Sequence, residues 1–370
     1  MKFICTQENF HNALAVVSRV ASKSANLPIL SNVMCETKNN NLVISATNLE
    51  MGLRAVVRGR VEEEGILVVP ARLLDECVAL MPKGNINLHS THEALTLNAP
   101  GYENKIHLVS FEEFPLFPHV EEKEKAIIPI EELKEIFRAT VFAASFDETR
   151  PELSGILLSI KKHIITAAAT DSYRLAERAL SVPSVDDFPH TILPLRTVQE
   201  IVKILSSLGE HEIKEVATII LGEHQFALHA GDFVLVSRII DGEYPPYQDI
   251  VPSSHETQGK VAKQEIEQAM RAAGLFSKSG INDVTLHFSP GEGIKVKASN
   301  MQVGENISTV IAEVEGTPQE VVLNWKYFME GLQSMESNEV VIELTNQASP
   351  VMIKPFGVQG HLYLIMPIRQ

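Results

Sequence analysis

The sequence predicts an α+β protein of three similar domains, each with two helices packed on antiparallel sheets. Two recurrences carry that prediction. Ala, then Thr or Ser, then Asn or Asp appears in "ATNLEMGLRA" from Ala46, in "ATDSYRLAER" from Ala169 and in "ASNMQVGENI" from Ala298, at offsets of 123 and 129. In near step, "VPARLLDECVALM" (69 to 81), "LPLRTVQEIVKIL" (193 to 205) and "LNWKYFMEGLQSM" (323 to 335) recur at offsets of 124 and 130. Landmarks that return together at one spacing mark an internal repeat.

The helices follow from periodicity. Each of the three long stretches opens on a residue suited to a helix start: Pro70 and Pro194, which need no amide hydrogen there, and Asn324, a cap. The i, i+3, i+4, i+7 stripe then holds Leu74, Cys77, Val78 and Met81; Val198, Ile201, Val202 and Leu205; and Phe328, Gly331, Leu332 and Met335. Gly331 alone interrupts it. A second helix repeats with stripes Phe10, Ala13, Leu14, Val17; Leu133, Ile136, Phe137, Thr140; and Ile266, Ala269, Met270, Ala273, of which Thr140 is the polar member.

Between the helices, "NLVISAT" (41 to 47), "HIITAAAT" (163 to 170), "GIKVKAS" (293 to 299) and "EVVIEL" (339 to 344) read as strands. Two polar, charge-rich stretches, "HVEEKEKA" (119 to 126) and "PSSHETQGK" (252 to 260), fall at the joins, giving domains over 1–125, 126–253 and 254–370. Thr170-Asp171-Ser172-Tyr173-Arg174 has the residue types of a catalytic loop. Its recurrence at the end of a strand in all three copies assigns it instead to a turn, which Thr and Asp side chains stabilise by bonding the backbone.

Composition narrows the function. A chain of 370 residues, 45% hydrophobic and 21% charged, is that of a globular protein with substantial cores. Cys5, Cys35 and Cys77 form neither a disulfide framework nor a zinc knuckle, so a reducing cytoplasm is expected. The opening "MKFICTQENF" lacks a signal-peptide core and no apolar run is long enough to span a bilayer, so the expectation is a protein neither exported nor embedded in a membrane. A formal charge of -15 argues against non-specific nucleic-acid binding over the whole surface, though not at a local patch.

Motifs of chemistry are missing. The chain has no Gly-x-x-x-x-Gly-Lys-Ser/Thr phosphate loop, no His-Glu-x-x-His and no Gly-x-Ser-x-Gly. "SPGEG" (289 to 293) reads as a turn, and His211, His224 and His229 lack a ligand framework around them. No catalytic residue, cofactor or metal is expected.

Six pieces in order, "LPILSN" (27 to 32), "TNLEM" (47 to 51), "VPAR" (69 to 72), "ATDSYRLA" (169 to 176), "GDFVLVSRIIDGEYPPY" (231 to 247) and "YLIMPIR" (363 to 369), resemble the beta subunit of bacterial DNA polymerase III, the beta sliding clamp. The resemblance covers the whole chain. It implies the DNA-clamp fold, a homodimeric ring of six domains with helices lining the hole, and a non-catalytic processivity factor through which duplex DNA passes without sequence preference. It also implies a groove for linear motifs of the polymerase catalytic subunit, the clamp loader, other polymerases and repair proteins. The matching groove residues are Leu153, Thr170, Tyr173, Arg174, Leu175, Pro245, Ile250, Leu364, Ile365, Met366, Pro367, Ile368 and Arg369. By the same match, a dimer seam joins Ile106 and Leu108 to Leu275 and Phe276 of a second copy. Many family members have Gly-His at Ser172-Tyr173, Arg at Asp249, Leu at Gln370 and a bulky apolar residue at Gly274, so the motif preference and the packing of the seam stay open.

Helix dimensions fit that reading. Twelve helices side by side at about 9 to 10 Å leave an opening of roughly 25 Å, room for a hydrated duplex, whereas six would leave only about 7 Å. The six helical stretches carry twelve Lys or Arg against ten Asp or Glu, so the acidity of the chain lies elsewhere. The cations expected to face DNA are Arg19, Lys23, Arg72, Lys134, Arg138, Arg196, Lys203, Lys263, Arg271 and Lys326. The alternative is an enzyme or a monomeric peptide-binding scaffold on the same three-repeat plan, which a monomer in solution or nucleotide turnover would favour.

Overall fold

The computed structural model describes every residue except 22–26, 148, 183–184, 210–214 and 370. Its described residues hold six α-helices: α1 (Gln7–Val17), α2 (Ala71–Ala79), α3 (Ile130–Arg138), α4 (Leu195–Ser207), α5 (Lys263–Gly274) and α6 (Trp325–Ser334). They fall two to a repeat, in the expected order. The expected starts are also found. Pro70 is the N-cap of α2, α4 begins directly after Pro194, and the Asn324 side chain accepts from the amides of Lys326 and Tyr327 at 3.0 and 3.4 Å.

Both irregularities in the stripes have a physical reason. Thr140 follows α3, fully buried, and its hydroxyl donates to the carbonyl of Ile136 at 2.8 Å, so its polarity is satisfied within the chain. Gly331 is the seat of the buried Tyr363 ring; a Cβ at 331 would overlap it. The Tyr363 hydroxyl donates back to the Tyr327 carbonyl at 2.9 Å.

The chain forms two compact units, Met1–Lys134 with Gln199–Ile239, and Glu135–Val198 with Ile240–Gln370. The middle repeat is therefore divided between them. The reason lies in the sheets, whose pairings are all antiparallel. In the first unit, an eight-stranded sheet continues from the strand Met51–Arg58 of the first repeat directly into Phe233–Arg238 of the second, with Ser237 opposite Met51 and Phe233 opposite Ala55. In the second unit, a nine-stranded sheet passes in the same way from Arg174–Ser181 into His361–Ile365, with Ile365 opposite Arg174 and His361 opposite Arg178.

A smaller sheet completes each unit. The five-stranded sheet of the first runs, in spatial order, Arg60–Glu63, Lys2–Thr6, Asn85–Ser90, Ala94–Ala99 and Tyr102–His107. The four-stranded sheet of the second runs Gly304–Val310, Gly293–Asn300, Asp283–Ser289 and Gln319–Asn324. The stripes of α1 and α2 (Phe10, Leu14, Leu74, Val78) and of α5 and α6 (Ile266, Met270, Phe328, Leu332) are fully buried.

Candidate functional site

The stretch Thr170 to Arg174 is a turn held by its own side chains. Thr170 Oγ1 donates to the Arg174 carbonyl at 2.6 Å and accepts from the Ser172 amide at 3.1 Å. Asp171 Oδ1 accepts from the amides of Tyr173 and Arg174 at 2.9 and 3.0 Å, and Ser172 takes a left-handed φ of 77°. The first repeat builds the same object. Thr47 Oγ1 donates to the Met51 carbonyl at 3.0 Å, Asn48 Oδ1 accepts from Glu50 and Met51 at 3.0 and 2.7 Å, and Leu49 has φ 76°. In the third, Asn300 Oδ1 accepts from the Gln302 amide at 2.9 Å. The Asp171 carboxylate is thus committed to backbone amides and to an arginine, and holds the turn.

Arg174 continues this turn into the fold. It is 7% exposed, its Nε bonds Asp171 Oδ2 at 3.0 Å, one terminal nitrogen donates to the Phe142 carbonyl at 2.8 Å, and the other pairs with Glu330 of α6. The guanidinium also lies 4.4 Å from the Tyr327 ring centre. Burial opposes its charge, but the hydrogen bond to Glu330 and the two carboxylates outweigh burial and hold its pKa above the ordinary arginine value. Successive residues of a strand face opposite sides. Leu175 accordingly points away from α6 and packs in a cluster with Leu157, Tyr247, Met352 and Leu364.

Leu175 and Leu364 belong to this cluster, whereas Arg174 and Ile365, paired one step along the same strands, face the other side of the sheet. Leu153, Thr170, Leu175, Leu364 and Ile365 are buried, and Pro245, Pro367 and Ile368 are half-buried. Tyr173 at 65%, Ile250 at 48%, Met366 and Arg369 are exposed. The Met366 amide donates to the Tyr173 carbonyl at 2.9 Å, carrying the strand pairing one step past His361–Ile365 and placing the chain tail beside the turn. The loop over Pro245 to Ile250 is fastened by Tyr247, buried, whose hydroxyl donates to Glu177 and whose ring meets Tyr244 edge-on at 6.2 Å. All thirteen candidates thus belong to one unit.

Several participants escape the sequence reading: Phe142, Glu330, Tyr327, Tyr247 and Glu177. Glu330 and Tyr327 sit three apart on α6, on one helical face, which is the only local signal they give. The paired aromatics in "EYPPYQDI" are the signal for Tyr247.

The expected DNA-facing cations differ in their engagement. Arg19 pairs with Glu200 at 3.3 Å, Arg72 with Glu76 at 2.7 Å, Arg138 with Glu336 at 2.8 Å, Lys203 with Glu200 at 2.6 Å and Arg271 with Glu267 at 3.8 Å. Lys263 is half-buried and donates to the Met335 carbonyl at 2.6 Å. Arg196 and Lys326 are exposed and Lys134 half-buried, with no ion pair among the described residues. Lys23 lies outside the described residues, as do His211 and Gln370.

Of the seam residues, Leu275 is 77% exposed and Phe276 and Leu108 are half-buried. Ile106, by contrast, is buried on the inner face of its own sheet, as the lone aliphatic residue of "YENKIH" should be. At Gly274 the ring of Trp325 fills the space of a missing side chain: a Cβ there would lie 2.7 to 3.0 Å from it.

The chain matches three family profiles in succession: DNA polymerase III beta subunit, N-terminal domain, over 1–118; central domain, over 127–246; and C-terminal domain, over 248–369. Among curated relatives, the beta sliding clamp of Synechococcus elongatus is 29% identical, with 100% of this chain and 99% of the relative covered. That of Bacillus subtilis is 26% identical, with 100% of both covered. In fold, the chain is similar to the DNA polymerase III beta subunit of Thermotoga maritima (TM-score 0.93, 24% identity, 100% of this chain and 99% of that one). It is also similar to the DNA polymerase sliding clamp of Bacillus subtilis (TM-score 0.91, 24% identity, 100% and 99%).

Proposed function

The chain belongs to the DNA polymerase III beta subunit family, and from that premise we propose that it is a processivity factor, a sliding clamp of two copies closed around duplex DNA. The observation that carries the dimer is a pattern of strand edges. At each internal junction, the last strand of one repeat pairs with the strand that follows the Thr-Asp or Thr-Asn turn of the repeat before it. Among the described residues, two strands of these kinds have no neighbour on one side: Tyr102–His107, the last strand of the first repeat, and Gly304–Val310, which follows the third turn. Each supplies what the other lacks. An exposed strand edge is a template for pairing, so two chains placed head to tail use the junction twice more and close six domains. Ile307, Val303 and Leu275, all exposed, supply apolar surface for the seam.

The domains in this reading span 1–125, 126–253 and 254–370, and the protein works in the cytoplasm; no helix among the described residues is long and apolar enough to cross a membrane. A closed ring holds DNA by topology. Cations already partnered by carboxylates, as at Arg19, Arg72, Arg138, Lys203 and Arg271, release few counterions from DNA and grip it weakly, which suits sliding. The exposed Arg196 and Lys326 give it a light contact. The ring is not an enzyme: with no phosphate loop it relies on a separate ATP-driven loader to open, and its contribution to synthesis is the high local concentration of a polymerase tethered at the groove.

The test is retention on nicked circular DNA after loading with a cognate loader and ATP, followed by a single cut of the circle. Release on linearisation is expected. A protein that stays bound to the linear product grips DNA directly, and the topological mechanism is then wrong.

A further inference from the structure

The loop over residues 239–256, one wall of the proposed groove, is acidic and contains no Lys or Arg, and its one imidazole, His255, lies 3.7 Å from Glu343. From Ile239 to Glu256 the chain carries Asp241, Glu243, Asp249 and Glu256 and neither Lys nor Arg. Asp249 and Glu243 are exposed and form no ion pair among the described residues. The position of Asp249 is fixed rather than floating. It lies in the short 3-10 turn Tyr247–Ile250, its amide donates to the Pro246 carbonyl at 3.1 Å, and the turn is pinned from below by the buried Tyr247 and its bond to Glu177. Its neighbour Ile250 is the exposed apolar residue of the same wall. On the turn side, Arg150 donates to Ser172 at 3.2 Å and pairs with Glu152 at 3.6 Å, and Arg369 is exposed on the tail.

We propose that this groove selects extended peptides in which a Lys or Arg stands beside the apolar residue that packs on Ile250, with Asp249 as the selecting group. The inference rests on the groove reading given above and adds to it the charge of the ligand. An apolar anchor on Ile250 puts the adjoining ligand side chain over Asp249, the next residue in the same turn. A cation there meets an unpaired carboxylate at the edge of an apolar surface; an anion there meets repulsion from Asp249 and Glu243. Discrimination of this kind works as much by rejecting the wrong charge as by attracting the right one.

The experiment is fluorescence anisotropy on the full chain, with three synthetic peptides that share a Leu-Phe anchor pair and differ only in a flanking Lys, Gln or Glu. The expected order of affinity is Lys, Gln, Glu, with about three- to tenfold between the extremes at low salt. The spread should collapse in about 1 M salt, where the screening length is about 3 Å. Asp249→Lys should invert the order, while Glu113→Lys, an exposed acid in the first repeat, should leave it unchanged. Equal affinities, or an order that persists in Asp249→Lys, overturn the charge selection while leaving the groove standing. Failure of all three peptides to bind removes the groove itself, and this inference with it.

Discussion

The junction around Met51 and the junction around Arg174 are built on one frame, and one is closed where the other is open. Their turns share the same side-chain bonds and their strands pair in the same register, so Met51, Arg54, Ala55 and Phe233 occupy the positions of Arg174, Glu177, Arg178 and His361. At the first junction Leu175 is replaced by Gly52. A Cβ there would lie 3.1 Å from Pro118 and 3.2 Å from Phe117, so the linker after the first repeat lies against the sheet where a side chain would be. At the second, Leu175 fills its own space, the linker touches down through Tyr247, and Tyr173, Ile250 and Met366 stay exposed. A few substitutions on a repeated scaffold therefore decide whether a junction is covered by its own chain or keeps its apolar residues exposed.

The open junction is also the polar one, and the largest effect should follow from removing that difference. Arg174→Met copies the first junction onto the second and leaves Asp171 and Glu330 without their cation. A loss of about 3 to 5 kcal/mol in urea unfolding is expected, together with loss of peptide binding. A loss below about 1 kcal/mol would mean that the turn is held by its backbone bonds alone.

Acid should separate the two junctions next. Burial, aided by the charge of Arg178, holds the His361 imidazole down to about 4 from an ordinary 6.5. Between those values the unfolded chain binds the extra proton, so the contribution is whole above pH 6.5 and disappears as pH falls toward 4. It amounts to at most about 3 kcal/mol. Hydrogen exchange should show strand His361–Ile365 losing protection over that range while Phe233–Arg238, with Phe233 in the matching place, does not. His361→Phe should abolish the difference, and equal acid sensitivity of both strands would remove His361 as its source.

The smallest change works on the closed side. Gly52→Leu gives the first junction the residue of the second and should push Phe117 and Pro118 off the sheet, at a cost of about 1 to 3 kcal/mol. Faster proteolysis within residues 109–123 is the readout; an unchanged rate would show that the linker is held by other contacts, such as Phe117 under Arg54 at 4.1 Å.

What the sequence discloses here is what is encoded locally. Helix stripes have a period of a few residues, and the Thr-Asp turn bonds only to itself, so three copies make both plain. Gly331 and Gly274 are unreadable by the same means, because their meaning is a ring elsewhere in the chain: Tyr363 for one, Trp325 for the other. Arg174 is readable as a member of the turn and not as a partner of Glu330, 156 residues away. The parity of "YENKIH" does place Ile106 inward, a signal that family resemblance overrides. Sheets that run across repeat boundaries are hidden for a related reason: alternation reveals a strand but does not name its neighbour.

That continuity has a consequence for synthesis on the ribosome. Strand Met51–Arg58 finds its neighbour only when Phe233–Arg238 has been made, roughly 175 residues later. At about 5 to 20 residues per second, it waits on the order of 10 to 40 seconds with one edge uncovered. Arg54 and Arg58 lie on that strand, and charge of this kind discourages a nascent edge from pairing with the wrong chain. A chain whose repeats are later joined edge to edge thus spends its first moments guarding an open edge.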